Sequence, residues 1–260
     1  MSSLRAAIFQ CADAGMTPDE RLHSLSRAAR GADAELLLCP ELFMSGYAVG
    51  EKISRHAEPS EGTFSAGVKE IARATGTAIV YGYPERHGGA LYNAAQGIGP
   101  SGERLCNHRK RVLPPGFEER YFKAGGEQTL FDFAGLRFAL LVCYEIEFPE
   151  AVRAAAQAGA QAILAPTALG AEWDVVAHRL VPARAFENGV YVLYANHAES
   201  EGHVEYLGAS CIVGPTGRDI ARAGAEAAVI VAEIDPGAVA AAQARLPYLR
   251  DLERLHPKQT

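Results

Sequence analysis

The 260-residue sequence lacks the features that mark membrane, secreted and nucleic-acid-binding proteins. No apolar run approaches the roughly 20 residues that a transmembrane helix needs, and the opening residues MSSLRAAIFQ lack the apolar core of a signal peptide. Basic residues form no stripe, and the net charge of −6 is spread along the chain, which argues against a nucleic-acid partner. The sequence therefore predicts a cytoplasmic protein that binds neither a membrane nor nucleic acid.

Cysteine is scarce, with five residues far apart in the chain: Cys11, Cys39, Cys106, Cys143 and Cys211. They form no CxxC pair and no Cys/His cluster, and the eight histidines follow no metal-ligand or triad spacing. An odd number of scattered cysteines without an export signal is typical of reduced thiols in the cytosol. We therefore expect no disulfide framework and no metal site.

The composition is that of an average globular protein, with 48% hydrophobic and 22% charged residues. No linker, repeat or low-complexity stretch divides the chain, so we predict a single domain over residues 1–260. Strands are predicted at 4–11, 35–42, 77–86, 91–100, 104–113, 138–142, 162–169, 190–198, 208–217 and 227–235. Helices are predicted at 17–32, 63–76, 149–160 and 172–189, the last of them kinked or divided by Pro182. About a dozen strands tend to split into two packed sheets, so the predicted fold is an α/β protein, a four-layer α/β/β/α sandwich.

The segment FALLVCYEIEFPE, at 138–150, contains the first candidate functional residue. Phe138 to Val142 is an unbroken apolar run typical of a buried strand, and a helix is predicted from Pro149. Cys143 therefore lies at the carboxyl end of a strand, where an open α/β sheet leaves its crevice. The following helix adds a modest positive field that favours the thiolate. Cys143 is either an ordinary buried thiol or a nucleophile.

Two charged residues lie at the ends of other predicted strands. Glu41 ends the apolar strand LLLCPEL, and alternation along RLCNHRKRVL puts Cys106, His108 and Lys110 on one face together with Val112. A thiol, a carboxylate and an ammonium group form a workable hydrolytic set for nucleophilic attack, proton transfer and oxyanion stabilisation. Each of them taken alone has an ordinary structural interpretation, and spacing alone leaves the choice open.

Three motifs in order resemble the nitrilase superfamily of carbon–nitrogen hydrolases. The segments are LLLCPELFMSGY, HRKRVLPPGFEERYFKAG and LVCYEIEFPEAVR, and the resemblance runs from about residue 4 to about residue 235. It implies that Glu41 is the general base, Lys110 the oxyanion-stabilising lysine and Cys143 the nucleophile. It also implies an αββα sandwich that assembles into dimers or larger homo-oligomers and uses no metal or organic cofactor.

The same resemblance implies further site residues. Many members carry a second glutamate eight residues beyond the lysine, which is Glu118 here, with Glu119 left open as the alternative. The backbone N–H of Tyr144 is implied as an oxyanion donor. Three details depart from the common pattern: Val112 stands where histidine is frequent, KAGG at 123–126 replaces the usual proline–glycine, and Glu145 stands where aspartate is commoner. None of these changes removes a catalytic group.

The residues after the nucleophile bear on the substrate. Tyr144 and Glu145 resemble the amidase branches, whereas true nitrilases typically have Trp-Glu there. Glu147 lies where relatives that act on N-carbamoyl amino acids carry arginine, and a carboxylate would repel an acidic substrate and attract an amine. We expect a small linear amide, neutral or amine-bearing, such as 5-aminopentanamide or an amino acid amide. The alternative is that Glu147 forms an ion pair with a nearby arginine, such as Arg153, and never meets the substrate.

Other functions stay open at this stage. The chain could be a nitrilase or an N-carbamoyl amine hydrolase of the same superfamily, or a catalytically silent binding or scaffold member. The complete set of matched catalytic groups speaks against the silent form. We expect the partner to be a small-molecule amide.

Several positions carry weaker expectations. Tyr47 and Trp173 follow strands, where they line the substrate crevice or serve as lids or dimer contacts. Arg184 and Glu187 are predicted to form a buried ion pair, and Asn93 is given no catalytic role. Residues 236–260 are predicted to be a C-terminal extension that can cross to a partner subunit.

Overall fold

The computed structural model describes residues 3–254. Strands β1 to β14 are Leu4–Gln10, Leu36–Leu38, Ala78–His87, Ala90–Ile98, Arg104–Arg109, Thr129–Phe133, Leu136–Leu140, Ala162–Pro166, Tyr191–Ala195, Ser200–Glu201, Val204–Glu205, Cys211–Val213, Asp219–Arg222 and Ala228–Ile234. Helices α1 to α8 are Pro18–Ala32, Ile53–His56, Thr63–Thr75, Phe117–Tyr121, Pro149–Gln157, Val181–Asn188, Pro236–Arg245 and Tyr248–Asp251. Short 3₁₀ segments cover Gly50–Lys52, Cys143–Glu147, Ala171–Trp173 and Leu252–Arg254, and a π-helical turn covers Val176–Leu180.

Twelve of the strands form two six-stranded sheets. The first has the order β14-β1-β2-β3-β4-β5 and the second the order β13-β12-β9-β8-β7-β6. In each sheet the three central strands are parallel (β1, β2, β3 and β7, β8, β9), and the outer strands pair antiparallel. The parallel strands β2 and β8 are fully buried, as the continuous apolar runs LLL and AILAP predict.

The two sheets face each other across one apolar core. Side chains from β1 and β2 in one sheet and from β7 and β8 in the other belong to the same buried cluster, including Ile8, Leu38, Phe138 and Leu164. Helices α1 and α3 cover the outer face of the first sheet, and α5 and α6 cover the outer face of the second. This is the four-layer α/β/β/α sandwich that the sequence predicts, and the fold prediction is confirmed.

Local sequence explains where α1 begins. Thr17 caps the helix by accepting from Glu20 N, and the Glu20 carboxylate accepts from Thr17 N in return, forming a capping box with Pro18 in the first turn. The helix then buries Leu25, Ala28 and Ala29 against the first sheet. This outer layer supports β1 and β2, which lead to the candidate site.

The structure shortens two predicted strands near the site. The strand predicted at 35–42 ends at Leu38, and the one predicted at 104–113 ends at Arg109. The alternation predicted that Val112 lies on the inward face of the strand. This is wrong, because Val112 lies beyond the end of β5 and is 39% exposed. Pro182 does not separate the last predicted helix into two pieces, because the π-helical turn at Val176–Leu180 runs directly into α6, which starts at Val181.

The C-terminal extension packs at least partly on its own chain. Val239 of α7 is buried in the core between the sheets, while Tyr248 of α8 is 41% exposed. The predicted crossing to a partner subunit stays a prediction, and residues 255–260 lie outside the described range. No helix within residues 3–254 is long and apolar enough to cross a bilayer.

Candidate active site

The three predicted catalytic residues come from the ends of strands in both sheets. Glu41 follows β2, Lys110 directly follows β5, and Cys143 comes three residues after β7. The backbone N–H of Lys110 donates to Asn93 O at 2.8 Å, which continues the pairing of β5 with β4. The candidate site therefore lies where the ends of the two sheets meet.

Lys110 lies between two carboxylates in the interior. Its Nζ donates to Glu41 Oε1 at 2.7 Å and to Glu118 Oε1 at 2.6 Å, and all three side chains are buried. Glu118 is on α4, whereas its neighbour Glu119 is exposed. Of the two glutamates that the sequence left open, the structure brings Glu118 to the lysine.

Asn93 completes this cluster, although the sequence gave no reason to assign it a catalytic role. Its Nδ2 donates to Glu41 Oε1 at 2.6 Å and to Glu118 Oε2 at 2.9 Å. Tyr47, predicted to line the crevice, donates from its hydroxyl to Glu118 Oε1 at 3.0 Å. A polar residue in the apolar alternation of β4 was the only signal for Asn93, and one asparagine is weak evidence.

One of the two carboxylate oxygens of Glu41 accepts no hydrogen bond from residues 3–254. Glu41 Oε2 is buried and has no hydrogen-bond partner among the described residues, whereas Oε1 accepts from both Lys110 and Asn93. A buried carboxylate oxygen without a donor is suited to accept a proton. The arrangement holds Glu41 firmly by one oxygen and presents the other.

The charged groups of this cluster shift one another's pKa values. Burial raises the pKa of Glu118 to about 6, with the positive charge of Lys110 opposing the shift and the negative charge of Glu41 adding to it. Burial alone would lower the pKa of Lys110, but the charges of Glu41 and Glu118 raise it above its usual value. Lys110 is therefore a permanent cation in the site at neutral pH.

Cys143 begins the 3₁₀ segment 143–147 and has a φ of +49°, in the left-handed region that disfavours side chains with a Cβ. The residue is partly exposed, unlike the four other cysteines, which are buried. Burial of its sulfur and the charge of Glu41 raise the pKa of Cys143, and Lys110 and the Ala168 N–H offset only part of this rise. These influences favour the protonated thiol, so the modest helix field does not by itself give a thiolate and the sulfur needs a base.

Tyr144 supplies a backbone donor beside the nucleophile. Its N–H belongs to the first turn of the 3₁₀ segment, where N–H groups have no partner inside the helix. Its ring packs edge-on against Phe148, with centroids 5.0 Å apart. The predicted oxyanion role rests on this backbone group rather than on the phenol.

A second buried network ties the nucleophile segment to the lysine strand. Glu145 Oε2 accepts from Val142 N at 2.8 Å and lies 2.8 Å from His108 Nε2, while Oε1 accepts from Arg111 N and Nε at 3.2 and 3.0 Å. Burial opposes ionisation, but the bonds and charge of His108 and the further bonds to Val142 and Arg111 hold the pKa of Glu145 below its usual value. Glu145 thus connects the segments that carry Cys143 and Lys110.

The loop after Glu41 is held close to β3. Leu42 has a φ of +48°, and Met44 N donates to Gly82 O at 3.1 Å. A Cβ at Gly82 would lie 2.7 Å from Glu41 Cα, closer than side-chain atoms tolerate. Glycine at this point of β3 is what lets the loop approach the sheet.

The predicted pair of Glu147 with Arg153 is wrong. Arg153 donates to Glu187 O at 2.7 Å, and Arg184 donates to the backbone O of Glu147 at 2.6 Å. The half-buried Glu147 carboxylate makes no ion pair within residues 3–254. Burial raises its pKa, and the charges of Lys110 and Arg184 oppose the rise, so the carboxylate lies within electrostatic range of the site.

Two other predictions have separate outcomes. Arg184 and Glu187 form an ion pair at 3.2 Å as predicted, but the pair is not buried as a whole, because the Glu187 side chain is 32% exposed. Arg184 also donates to the carbonyl of Ile146 at 3.1 Å. Trp173 is 58% exposed on its 3₁₀ turn and does not join the hydrogen-bonded cluster around Lys110. The structure therefore leaves the crevice role of Trp173 as a prediction.

One group of possible metal ligands exists within residues 3–254. Cys11, Asp13 and His197 offer ligand atoms within 4.8 Å of one another, a proximity that their sequence spacing did not indicate. Asp13 is already ion-paired with Arg21, and His197 Nε2 donates to Glu41 O at 2.7 Å. A metal ion there would meet the charge of Arg21, so the group suits a hydrogen-bonded charge cluster better.

Comparison with known proteins identifies close relatives. Residues 5–244 match the family model described as carbon-nitrogen hydrolase. A hydrolase of Pseudomonas protegens, named for the region 5′ of pqqF, is 41% identical over 255 residues and covers 96% of this chain and 90% of the relative. An (R)-stereoselective amidase from Pseudomonas sp. is 34% identical over 226 residues, covering 86% of this chain and 81% of the relative.

A solved structure shares the whole architecture. A double mutant of the amidase from Nesterenkonia sp. AN1, in complex with acrylamide, superposes with a TM-score of 0.88 at 32% sequence identity. The match covers 98% of this chain and 97% of that one. That structure and this chain therefore agree over essentially their full lengths.

Proposed function

Because the chain belongs to the carbon–nitrogen hydrolase family and is an amidase of the nitrilase superfamily, we propose that it hydrolyses a small linear amide to an acid and ammonia through a Cys143 acyl-enzyme. One observation carries the assignment of roles. Lys110 is hydrogen-bonded to Glu41 and Glu118, and the second oxygen of Glu41 is left without a donor. Tyr47 and Asn93 complete the bonding of Glu118 and so hold the pair of carboxylates in place.

Acylation begins with the protonated thiol. Glu41 Oε2 takes the proton from Cys143 Sγ as the sulfur attacks the amide carbon, and the carbonyl oxygen becomes an oxyanion. Lys110 Nζ and the backbone N–H of Tyr144 stabilise that charge. Glu41 then returns its proton to the leaving nitrogen, ammonia departs, and a thioester on Cys143 remains.

Deacylation uses the same groups in reverse. Glu41 takes a proton from water, the resulting hydroxide attacks the thioester carbon, and Lys110 and Tyr144 N–H again stabilise the oxyanion. The carbon–sulfur bond breaks, the carboxylic acid leaves, and the proton on Glu41 returns to Cys143 Sγ. Glu118 remains ionised and orients Lys110 and the substrate throughout.

An assay of ammonia release from a panel of linear amides tests this proposal. The wild type is expected to release ammonia and to accumulate a thioester mass on Cys143 in rapid-quench mass spectrometry. Cys143→Ala and Glu41→Gln are each expected to lose at least about 1000-fold in kcat/KM, because neither can form the acyl-enzyme. Activity that survives Cys143→Ala would contradict the proposal.

For the substrate we propose a neutral or amine-bearing amide, with Glu147 facing its far end. The Glu147 carboxylate is half-buried and makes no ion pair within the described range, and the charge of Lys110 opposes the rise in its pKa that burial causes. An ammonium group on the substrate would pair with the Glu147 carboxylate.

Three substrates of matched length separate the possibilities: pentanamide, 5-aminopentanamide and the monoamide of glutaric acid. We expect 5-aminopentanamide to be preferred over the acidic monoamide by about tenfold or more, since a charged hydrogen bond contributes roughly 1.5–3 kcal/mol. Glu147→Gln should abolish that preference while pentanamide turnover changes little. A wild-type preference for the acidic monoamide would exclude the ammonium site.

Assembly and compartment are also proposals. We propose a cytoplasmic homo-oligomer, a dimer or larger. The exposed aromatic pair Phe186 and Tyr248, with ring centroids 5.8 Å apart, supports association, and five free cysteines support a reducing compartment. Sedimentation velocity and cell fractionation test the two statements, and a strictly monomeric protein at micromolar concentration would contradict the first.

A further inference from the structure

A buried charge cluster lies behind the loop that carries Glu41. It consists of Asp13, Arg21, His197 and Glu201, and each residue is at most 6% exposed. Arg21 is ion-paired with Asp13 and lies 3.7 Å from Glu201 Oε1, and His197 Nδ1 lies 3.3 Å from Asp13 Oδ1. We call these four residues the anchoring cluster.

The anchoring cluster holds the loop 41–48 through its backbone. His197 Nε2 donates to Glu41 O at 2.7 Å, and Arg21 Nη1 donates to Phe43 O at 2.8 Å. Further along the loop, the amides of Tyr47 and Ala48 both donate to Glu201 Oε2, at 2.8 and 2.7 Å. Four backbone groups of one eight-residue loop are therefore bound by three buried side chains.

The loop needs such support because its backbone is strained. Leu42, directly after Glu41, has a φ of +48°. A non-glycine residue in the left-handed region persists only where its surroundings fix it. The bond from His197 is the one nearest to this strained residue, because it ends on the carbonyl of the peptide between Glu41 and Leu42.

The state of the His197 ring follows from its partners. A backbone carbonyl only accepts, so Nε2 carries a proton, and the carboxylate of Asp13 favours a proton on Nδ1 as well. Burial would lower the pKa of His197, but the charge and hydrogen bond of Asp13 raise it above its usual value, with a smaller contribution from Glu201. The ring is also stacked on Tyr206 at 4.9 Å between centroids, which fixes its plane.

We propose that His197 is a positioning residue for Glu41: its Nε2–H donates to the Glu41 carbonyl and thereby directs the unpartnered Oε2 toward Cys143. This rests on the proposed function, in which Glu41 is the base. His197 touches neither substrate nor sulfur in this scheme and acts only through the backbone of Glu41. The same loop carries Tyr47, so the anchoring cluster also sets the position of the hydroxyl that binds Glu118.

Two substitutions separate the hydrogen bond from the imidazole ring. His197→Gln keeps an N–H donor near the position of Nε2, and His197→Asn removes it. We expect kcat to fall by about 100-fold in His197→Asn, the loss typical of a catalytic group displaced by about 1 Å, with KM nearly unchanged. His197→Gln is expected to stay within about fivefold of the wild type. Cys11→Ala is the matched control, since its sulfur lies 3.7 Å from His197 Nδ1 but bonds to no group of the loop.

A second readout does not depend on amide turnover. The pH dependence of Cys143 alkylation by iodoacetamide reports the pKa of the thiol, which the charge of Glu41 raises. If Glu41 is displaced in His197→Asn, that pKa falls toward the value in Glu41→Gln, whereas in His197→Gln and Cys11→Ala it stays at the wild-type value. This result would support the positioning role even if no amide in the panel were hydrolysed, so the two proposals fail separately.

Several outcomes would overturn the inference. An unchanged kcat and alkylation pKa in folded His197→Asn would show that Glu41 does not depend on His197. Equal losses in His197→Gln and His197→Asn would show that the ring, and not its donor, matters. His197→Met provides a second variant without a donor, and if neither it nor His197→Asn folds, His197 acts in folding and the proposal is wrong.

Discussion

Gly82 on β3 determines how closely Glu41 can approach the first sheet. We expect Gly82→Ala to lower kcat by about 100-fold, because its Cβ would lie 2.6 Å from Pro40 O and 2.7 Å from Glu41 Cα and would push the loop outward. Steady-state kinetics on a neutral amide measure this loss. Gly31→Ala in α1 is the control, since a Cβ there meets nothing within 4 Å and should leave activity unchanged. Wild-type activity in folded Gly82→Ala would contradict the interpretation.

Protonation of Glu118 is expected to lower the activity at acidic pH. With a pKa of about 6, the carboxylate is ionised above that pH and accepts bonds from Lys110, Asn93 and Tyr47. It gains a proton below that pH, so kcat/KM should rise with pH through about 6. Glu118→Gln is expected to lower kcat/KM at pH 8 by about 100-fold and to remove the acid limb at about pH 6, because the carboxyl group that titrates there is gone. An acid limb at the same pH in both proteins would exclude Glu118 as its source.

The residues of the site were predictable to different extents. Alternation along β5 indicated that Lys110 points inward with Cys106 and His108, and all three are buried. Asn93 was not predictable in the same way, since its role depends on the approach of Glu41 and Glu118 from other elements. Partners that are distant in sequence become visible only when the sheets are assembled.

At the scale of elements, the 3₁₀ segment 143–147 depends on Glu145. We expect Glu145→Gln to lower the free energy of unfolding by about 3 kcal/mol, because the amide removes the charge paired with Arg111 and replaces one of the two acceptor oxygens by an NH2 group that faces donors in a buried site. Urea denaturation at pH 7 measures this change. Asp132→Asn, which removes an exposed partner of Arg137, is the control and should leave stability unchanged.

The pH dependence of the free energy of unfolding tests whether ionised Glu145 stabilises the folded protein. The pKa of Glu145 in the folded protein lies below its usual value of 4.5, so its contribution to stability is complete above the unfolded-state pKa and disappears as the pH falls through the folded-state pKa. The stability difference between wild type and Glu145→Gln should therefore shrink on acidification below about pH 4.5. A difference that grows toward low pH would contradict the assignment.

Element types were predicted better than element ends. Long apolar or periodic segments such as β1, β4, α1 and α3 match their predicted ranges within about two residues. The strand predicted at 35–42 extends beyond the real one because Cys39, Pro40 and Leu42 are apolar and buried although they have left the sheet. The two-residue strands β10 and β11 are too short to show any alternation.

At the scale of the whole molecule, the core between the sheets makes both halves of the site interdependent. We predict one cooperative unfolding transition, with circular dichroism, tyrosine fluorescence and amide turnover lost together. Phe138→Ala, which removes a buried ring stacked on Phe131 at 5.3 Å, should lower stability by about 4 kcal/mol for all probes alike. Ile220→Ala, at a position 50% exposed, serves as the control and should change little. Separate transitions for the probes would contradict the single domain.

The layered fold followed from the number of strands and the resemblance together. A dozen strands indicated two sheets, but their order did not follow from the sequence, since β14 pairs with β1 across most of the chain. Neither did the strain at Leu42 and Cys143, because φ angles of non-glycine residues leave no mark in the composition. Both features are set by tertiary contacts.

The raised pKa of Cys143 affects how the protein tolerates oxidants. Peroxides convert thiolates to sulfenic acids much faster than they convert thiols, so a sulfur that releases its proton only to Glu41 resists this damage. The four remaining cysteines are buried and their pKa values are raised as well. Under oxidative stress the protein should therefore retain an unoxidised Cys143, and with it its activity, after enzymes that depend on an exposed resting thiolate have been inactivated.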